Sequence, residues 1–363
     1  MIKVLFYGNF FTTNGIATNG QTSKTINFKK VFSEVFGEIV NVIVFDTFGF
    51  KKKPVRKYIE LVKTLKKVEA CVIFPGSKNS LKIFLMANSI AGEKRAIFYP
   101  IVGGWLFDKI HDSKFIINKL KKFDCLYPET KGLKDKLEKI GITNTKVSPT
   151  FALRKAIPFE QIKKNYLENC QKQRRFVYFG RITETKGIYL AMKAVKLINQ
   201  ETDNSCILDL YGRLNDNEDY SELYRLSDEN IKYRGILPDE SIDLLSTYDF
   251  FLFPTFYEGE GFPACCVESL MYGTPVLASN WKYNNEIIID DVNGFLFNLE
   301  MDDFVAMIKK ALEVDIITLK ENSYKDSKKY TPCKAVMPFL IDFADTFAIS
   351  KKLIDNYLEA IHD

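Results

Sequence analysis

The chain lacks the marks of several protein classes. Its seven cysteines are scattered, only Cys265 and Cys266 adjoin, and no CxxC spacing or His-Cys cluster occurs, which argues against a disulfide framework or a structural zinc. A reducing cytosol fits that usage. No run approaches the roughly 20 apolar residues that cross a bilayer. The opening MIKVLFYGNFF lacks the long apolar core and small-residue cleavage site of a signal peptide. No internal repeat or low-complexity tract stands out. These absences lead to the expectation of a cytoplasmic protein without a resident metal.

The composition is that of a folded globular chain, with 46% hydrophobic and 27% charged residues. At 363 residues it is too long for one ordinary core, so two domains are expected. Each half is short of one sign of charge. Residues 1–172 hold 31 Lys and Arg against 14 Asp and Glu, whereas the remainder holds 20 against 32. The basic excess includes Lys51, Lys52, Lys53, Arg56 and Lys57, then an amphipathic helix with Lys63, Lys66 and Lys67 beside Ile59, Val62 and Leu65. Such a surface suits anionic lipid or another polyanion, or is a plain solvated face. Lysine richness without a recognised binding motif does not point to nucleic acid. Nothing in the sequence sets an oligomeric state.

Apolar runs alternate with helical patterns. Met1 to Tyr7 reads as a buried strand, followed by a loop with Gly8, Gly15 and Gly20 and a helix from about Gln21 to Phe36. Further strands are expected at Ile39 to Phe45, Ala70 to Phe74, Ala96 to Val102 and Cys125 to Tyr127. A second series follows at Phe176 to Phe179, Ile207 to Leu210, Ile231 to Tyr233, Phe250 to Phe253, Val276 to Ala278 and Phe295 to Phe297. Strands alternating with helices predict parallel sheets. Between the two series the pattern lapses, with Pro149, Pro158 and a polar NYLENCQKQRR segment. The expected division is a basic domain at 1–150, a linker at 151–173, a second domain at 174–330 and helices at 331–363 that cross back to the first domain. In Lys186 to Asn199 the stripe Leu190, Ala191, Ala194, Leu197 and Ile198 is expected to face the sheet. Two doubly wound domains facing each other would bind ligands at the carboxyl ends of their strands.

Two segments carry candidate chemistry. Phe179 to Gly187 (FGRITETKG) lies where the first strand of the second domain hands over to its helix. There Arg181 offers a planar fork and Lys186 a point charge, a combination suited to a diphosphate. It is not a P-loop, because the Walker spacing is missing. In Pro254 to Ser279 (PTFYEGEGFPACCVESLMYGTPVLAS), Glu260 and Glu268 stand on either side of a Gly-Phe-Pro turn. Gly261 allows close backbone approach, and Pro263 suits the start of a helix from Ala264 to Met271. Glu268 could accept two hydrogen bonds from a ribose diol, and Glu260 could accept from sugar hydroxyls. Paired glutamates also occur as exposed residues or caps, but the glycine and proline context favours a ligand. Asp216, Glu218 and Asp219 are accounted for by a polar loop rather than a cation site.

Together these segments resemble the retaining glycosyltransferases of family four, strongly over about residues 175–300 and more loosely in the first half. The residues that carry the likeness are Gly180, Arg181, Lys186, Gly187, Gly212, Gly235, the Glu260 and Glu268 pair, and Gly273 to Val276. The resemblance implies a GT-B fold, two Rossmann-like α/β domains facing a cleft. It also implies that Glu260 contacts the transferred sugar, Glu268 holds the nucleotide ribose, and Arg181 and Lys186 neutralise the diphosphate leaving group. Gly261 and Phe262 would touch phosphate or sugar, and Gly15 would approach the donor phosphates from the first domain. The donor would be a nucleotide-diphosphate sugar. Gly235, Ile236 and Leu237 would meet the base without separating uridine from guanosine, although the expectation leans to UDP. No cofactor or metal is required. At Tyr99 to Trp105, where many relatives place a histidine near the reacting sugar, this chain has none. Gly103 and Gly104 could offer backbone contacts there, and His111 follows on a helix. The implied activity is sugar transfer to a glycan or lipid-linked acceptor in cell-surface polysaccharide synthesis, at the inner face of the membrane. The competing expectation is a non-catalytic nucleotide-sugar or polyanion binder on the same scaffold.

Overall fold

The computed structural model describes residues 1–13, 16, 17, 20–202, 206–215 and 218–362. Gly15 and Asp216 of the sequence expectations lie outside the described residues. The chain divides into two compact units, Met1–Leu153 with Tyr330–Asp363, and Arg154–Lys329.

The first unit is a five-stranded parallel sheet of β1 (Ile2–Gly8), β2 (Val40–Asp46), β3 (Ala70–Phe74), β4 (Ala96–Pro100) and β5 (Cys125–Tyr127), in the order β2-β1-β3-β4-β5. β3 is buried at every residue, as a parallel strand covered on both faces must be, which is why it reads as a continuous apolar run. Val4 sits opposite Val42 on one side and Ala70 on the other, so β1 is central. Two short antiparallel strands, Thr12–Thr13 and Ile16–Ala17, follow β1. The core gathers aromatics from distant parts of the chain. Phe339 and Phe343, on the helix Pro332–Thr346, pack against Phe28 and Phe32 with ring centroids 4.8 Å apart in each case. Tyr127 donates to Asp342 at 2.8 Å, and Ser148 donates to the Ala335 carbonyl at 2.6 Å.

The second unit is a six-stranded parallel sheet of β6 (Arg174–Phe179), β7 (Cys206–Tyr211), β8 (Ile231–Gly235), β9 (Phe250–Phe253), β10 (Val276–Ser279) and β11 (Gly294–Phe297). Its order is β8-β7-β6-β9-β10-β11, so the chain runs outward one way from β6 and then returns to β9 on the other side. The loops after β6 and β9 therefore flank the topological switch point, where open α/β sheets bind ligands.

The segment expected as a linker, 151–173, contains the helix Phe159–Asn169, in which Ile162 and Tyr166 one turn apart form a buried seam. One local expectation is corrected. On the helix Ile188–Glu201 the buried stripe is Ile188, Ala191, Met192, Ala194, Val195 and Ile198. Leu190 and Leu197, seven positions apart, share the flank of that stripe, and Leu197 is 40% exposed.

Candidate functional site

Neighbouring strands bring the two charged segments together. Phe176 and Val177 of β6 pair with Phe250 and Phe251 of β9, so Gly180 to Gly187 and Pro254 to Pro263 leave the sheet side by side. The loops are stitched by a hydrogen bond from Phe256 N to the Thr185 carbonyl at 2.9 Å. Gly187 makes the approach possible: its φ is +75°, and a Cβ there would lie 1.9 Å from the Pro254 carbonyl oxygen. Gly212 closes a similar gap, since a Cβ would lie 1.7 Å from the Gly180 carbonyl oxygen. Its own N–H donates to Gly235 O at 2.7 Å.

Lys186 reaches across the junction to Glu260, Nζ to Oε2 at 2.5 Å, and both side chains are largely buried. The same carboxylate oxygen accepts from Thr255 Oγ1 at 2.8 Å. Among the described residues no group bonds Oε1 of Glu260. Tyr257 lies beneath both cations, with Lys186 Nζ 5.0 Å and the Arg181 guanidinium 5.4 Å from its ring centre. The Tyr257 carbonyl is itself fixed by Trp281 Nε1 at 2.9 Å. Arg181 is exposed and pairs with no carboxylate among the described residues. Tyr178, buried under the turn, donates to the Arg181 carbonyl at 2.7 Å and holds the backbone there.

Glu268 sits in the second turn of the helix Ala264–Met271. Its Oε1 accepts from Arg154 Nε at 2.6 Å, and Arg154 Nη1 also meets Asp239 Oδ1 at 2.8 Å. No described group bonds Oε2 of Glu268. Burial pushes its carboxyl above the usual range, and the Arg154 guanidinium opposes that rise. Each glutamate is thus anchored through one oxygen by a cation, and among the described residues its other oxygen accepts from no group.

The remaining expected residues are placed as follows. Gly180 adjoins Arg181, and Gly261 and Phe262 are buried where the glutamate loop enters its helix. Ile236 is exposed and Leu237 half-buried in the loop after β8. Gly103, Gly104 and His111 belong to the first unit. There Gly103 N–H donates to Glu129 Oε2 at 2.9 Å, Gly104 precedes the helix Trp105–Ile110, and exposed His111 has Nδ1 3.2 Å from the Phe107 carbonyl oxygen. Sequence reasoning did not find Arg154, Thr255 or Tyr257. The last two lie inside the glutamate segment, but Arg154 stands 114 residues from its partner and left no local signal. Asp219 accepts from Ser221 as a turn cap, and among the described residues no group of three His, Cys, Asp or Glu side chains could hold a metal ion.

The first unit has its own charged pair at the carboxyl ends of its strands. Lys24 Nζ meets Glu129 Oε1 at 2.7 Å and the Ile101 carbonyl at 3.3 Å, with both side chains only 3% exposed. Thr150 donates to the same carboxylate.

Residues 159–331, which include both charged loops, match the family described as Glycosyl transferases group 1. The capsular polysaccharide biosynthesis glycosyltransferase CapH of Staphylococcus aureus is 28% identical over 130 residues, 34% of this chain and 35% of that protein. An uncharacterized 41.2 kDa protein in the cps region of Klebsiella pneumoniae is 25% identical over 189 residues, covering 50% of this chain and 49% of that one. The matches therefore span about a third to a half of these two relatives. Anabaena HepE, solved in complex with UDP-glucose, superposes with a TM-score of 0.69 at 18% identity, over 96% of this chain and 100% of that one. The fold is GT-B, built from two parallel-sheet α/β units.

Proposed function

We propose that this chain is a retaining glycosyltransferase that moves a sugar from a nucleotide-diphosphate sugar to a glycan or lipid-linked acceptor in cell-surface polysaccharide synthesis. The observation that carries the reading is the pair of glutamates at the switch point, each anchored on one oxygen and open on the other, beside the uncompensated guanidinium of Arg181. The group 1 match over these loops, the function named for CapH and the UDP-glucose held by HepE support it. The last favours a UDP-sugar over a GDP-sugar.

In this reading the ribose diol meets Oε2 of Glu268, sugar hydroxyls meet Oε1 of Glu260, and the diphosphate lies against Arg181 and Lys186. As the anomeric bond breaks, negative charge grows on the diphosphate, and the two cations hold it more strongly than they hold the ground state. Lys186 then bridges Glu260 and phosphate, so the sugar contact and the leaving-group contact are mechanically one. The acceptor hydroxyl enters on the face the nucleotide leaves, and its proton passes to the departing phosphate. No metal is needed for these steps. The test is nucleoside diphosphate release from a panel of nucleotide sugars, with and without chelator, and the anomeric configuration of the product by NMR. Release with retained configuration is expected; nucleotide binding without release from any donor would favour the non-catalytic binder.

A second observation bears on location. On the helix Pro54–Leu65, Leu61 and Leu65 are buried, whereas Val55 is 72% and Ile59 50% exposed among Lys53, Arg56 and Lys63. The neighbouring helix Lys78–Ala91 adds exposed Met86 and Ile90. No helix among the described residues is long and apolar enough to cross a membrane. Apolar side chains set among cations suit peripheral attachment to the anionic cytoplasmic leaflet, where a lipid-linked acceptor would reside. Co-sedimentation with phosphatidylglycerol vesicles should exceed that with phosphatidylcholine; equal binding removes the membrane clause.

A further inference from the structure

Arg154 is the first residue of the second unit, and its guanidinium is divided between two carboxylates on separate elements. Nε meets Glu268 on the helix Ala264–Met271, and Nη1 meets Asp239 at the start of the 3-10 segment that follows the loop of Ile236 and Leu237. Glu268 has only 12% of its side chain exposed, Arg154 23% and Asp239 73%. The backbone near Arg154 is itself tied to this region, since Tyr272 donates to the Lys155 carbonyl at 3.0 Å. A planar fork can hold two acceptors in fixed directions, which a lysine cannot do.

We propose that Arg154 is a positioning residue for the donor: it fixes Oε1 of Glu268 so that Oε2 faces the ribose diol, and through Asp239 it ties that carboxylate to the loop that meets the base. The inference rests on the proposed donor reading of Glu268. Ribose and base are then recognised by one connected unit. The ionised state of Glu268 depends on the same contact, because its burial works against the charge and Arg154 is the cation that faces it, with Asp239 and Tyr272 the other titratable groups nearby.

The experiment compares UDP and GDP with their 2′,3′-dideoxy counterparts by calorimetry on the full chain and its variants. The wild type should bind the ribonucleotide of its preferred base about tenfold or more tightly than the dideoxy form, the scale of charge-assisted hydrogen bonds. In Arg154→Ala that ratio should fall to about two while the dideoxy nucleotide weakens only the few-fold expected from losing the Asp239 link, a pattern that general loosening of the fold would not give. Arg154→Lys should recover part of the ratio, because a cation again faces Glu268. Asp239→Asn, at an exposed side chain, should keep the ratio and weaken both nucleotides a few-fold. An unchanged ratio in both Arg154 variants overturns the positioning role while leaving the donor reading intact. A wild type that binds neither nucleoside diphosphate, or binds ribo and dideoxy forms alike, overturns both. Unaltered binding by Asp239→Asn overturns the link to the base loop.

Discussion

Each unit places a lysine-glutamate pair at the carboxyl ends of its parallel strands, and the two pairs are used in opposite ways. In the first unit Lys24 and Glu129 are sealed, and both carboxylate oxygens are consumed by Lys24, Thr150 and the Gly103 amide. In the second, Glu260 spends one oxygen on Lys186 and Thr255, and the other has no partner among the described residues. A fully satisfied buried pair can only hold loops in place. A half-satisfied pair under a cation can still take a ligand. The overall charge follows the same divide: the first unit holds 29 basic against 17 acidic residues, and the second 22 against 29. Arg181 and Lys186, the cations proposed to meet a diphosphate, therefore stand against an acidic background.

The contrast can be broken by mutation, beginning with the largest effect. Glu129→Ala leaves Lys24 buried without its counter-charge and should cost about 3–5 kcal/mol of stability in denaturant titration. UDP affinity of the folded protein should stay within about twofold, and a Lys24→Met, Glu129→Leu double variant should regain most of the stability. Lys186→Ala should do the reverse, cutting turnover by about 10²–10³-fold, the scale of losing one transition-state donor, with a smaller loss of stability because this pair is less deeply buried than Lys24 and Glu129. If Lys186→Ala matched Glu129→Ala in stability and turned over at the wild-type rate, the two pairs would be the same device. Gly187→Ala tests the geometry under the second pair. A Cβ pressed against the Pro254 carbonyl at φ +75° should cost about 1–3 kcal/mol in thermal unfolding and lower turnover by separating Lys186 from Glu260.

The smallest effect is on pH. Burial raises the carboxyl pKa of Glu268, and a protonated carboxyl loses its strength as an acceptor. Nucleotide affinity should therefore be complete above that raised value and decline as pH falls through it, starting at a higher pH than an ordinary glutamate at 4.5 would give. The stability contribution has the opposite sign: this group favours the fold most when protonated, and that contribution is lost as pH rises from the unfolded value through the raised one. Affinity measured from pH 4 to 8 in wild type and Glu268→Gln checks the assignment, since the variant should lose the dependence.

How much of this was legible in the sequence follows from the range of each interaction. All eleven principal strands fall where apolar runs predict them; those covered on both faces, such as β3 and β9, read as unbroken apolar runs that need no partner to be recognised. The charged turn and the glutamate loop were legible because their glycines and prolines report local backbone geometry. The pairs themselves were not. Lys24 and Glu129 are 105 residues apart, and Arg154 and Glu268 114, so only the assembled sheet brings them into contact. The helix Phe159–Asn169 was hidden by its mostly polar surface, which leaves just Ile162 and Tyr166 as a seam. The offset in the Ile188–Glu201 stripe arose because Leu190 and Leu197 are as apolar as the residues that do face the sheet.

The return of the helix Pro332–Thr346 to the first unit sets a schedule for synthesis. Phe28, Phe32, Phe98 and Tyr127 all pack on Phe339, so their core is unfinished when the ribosome has passed Leu153. At ~5–20 residues per second, the roughly 190 residues still to come before Phe343 take on the order of 10–40 s. During that interval the second unit, an unbroken segment of chain, can fold alone, while the first waits with its aromatics uncovered. The earlier-made of the two units is thus the later to be completed, and chaperone demand on the nascent chain should fall on residues 1–153 rather than on residues 154–329.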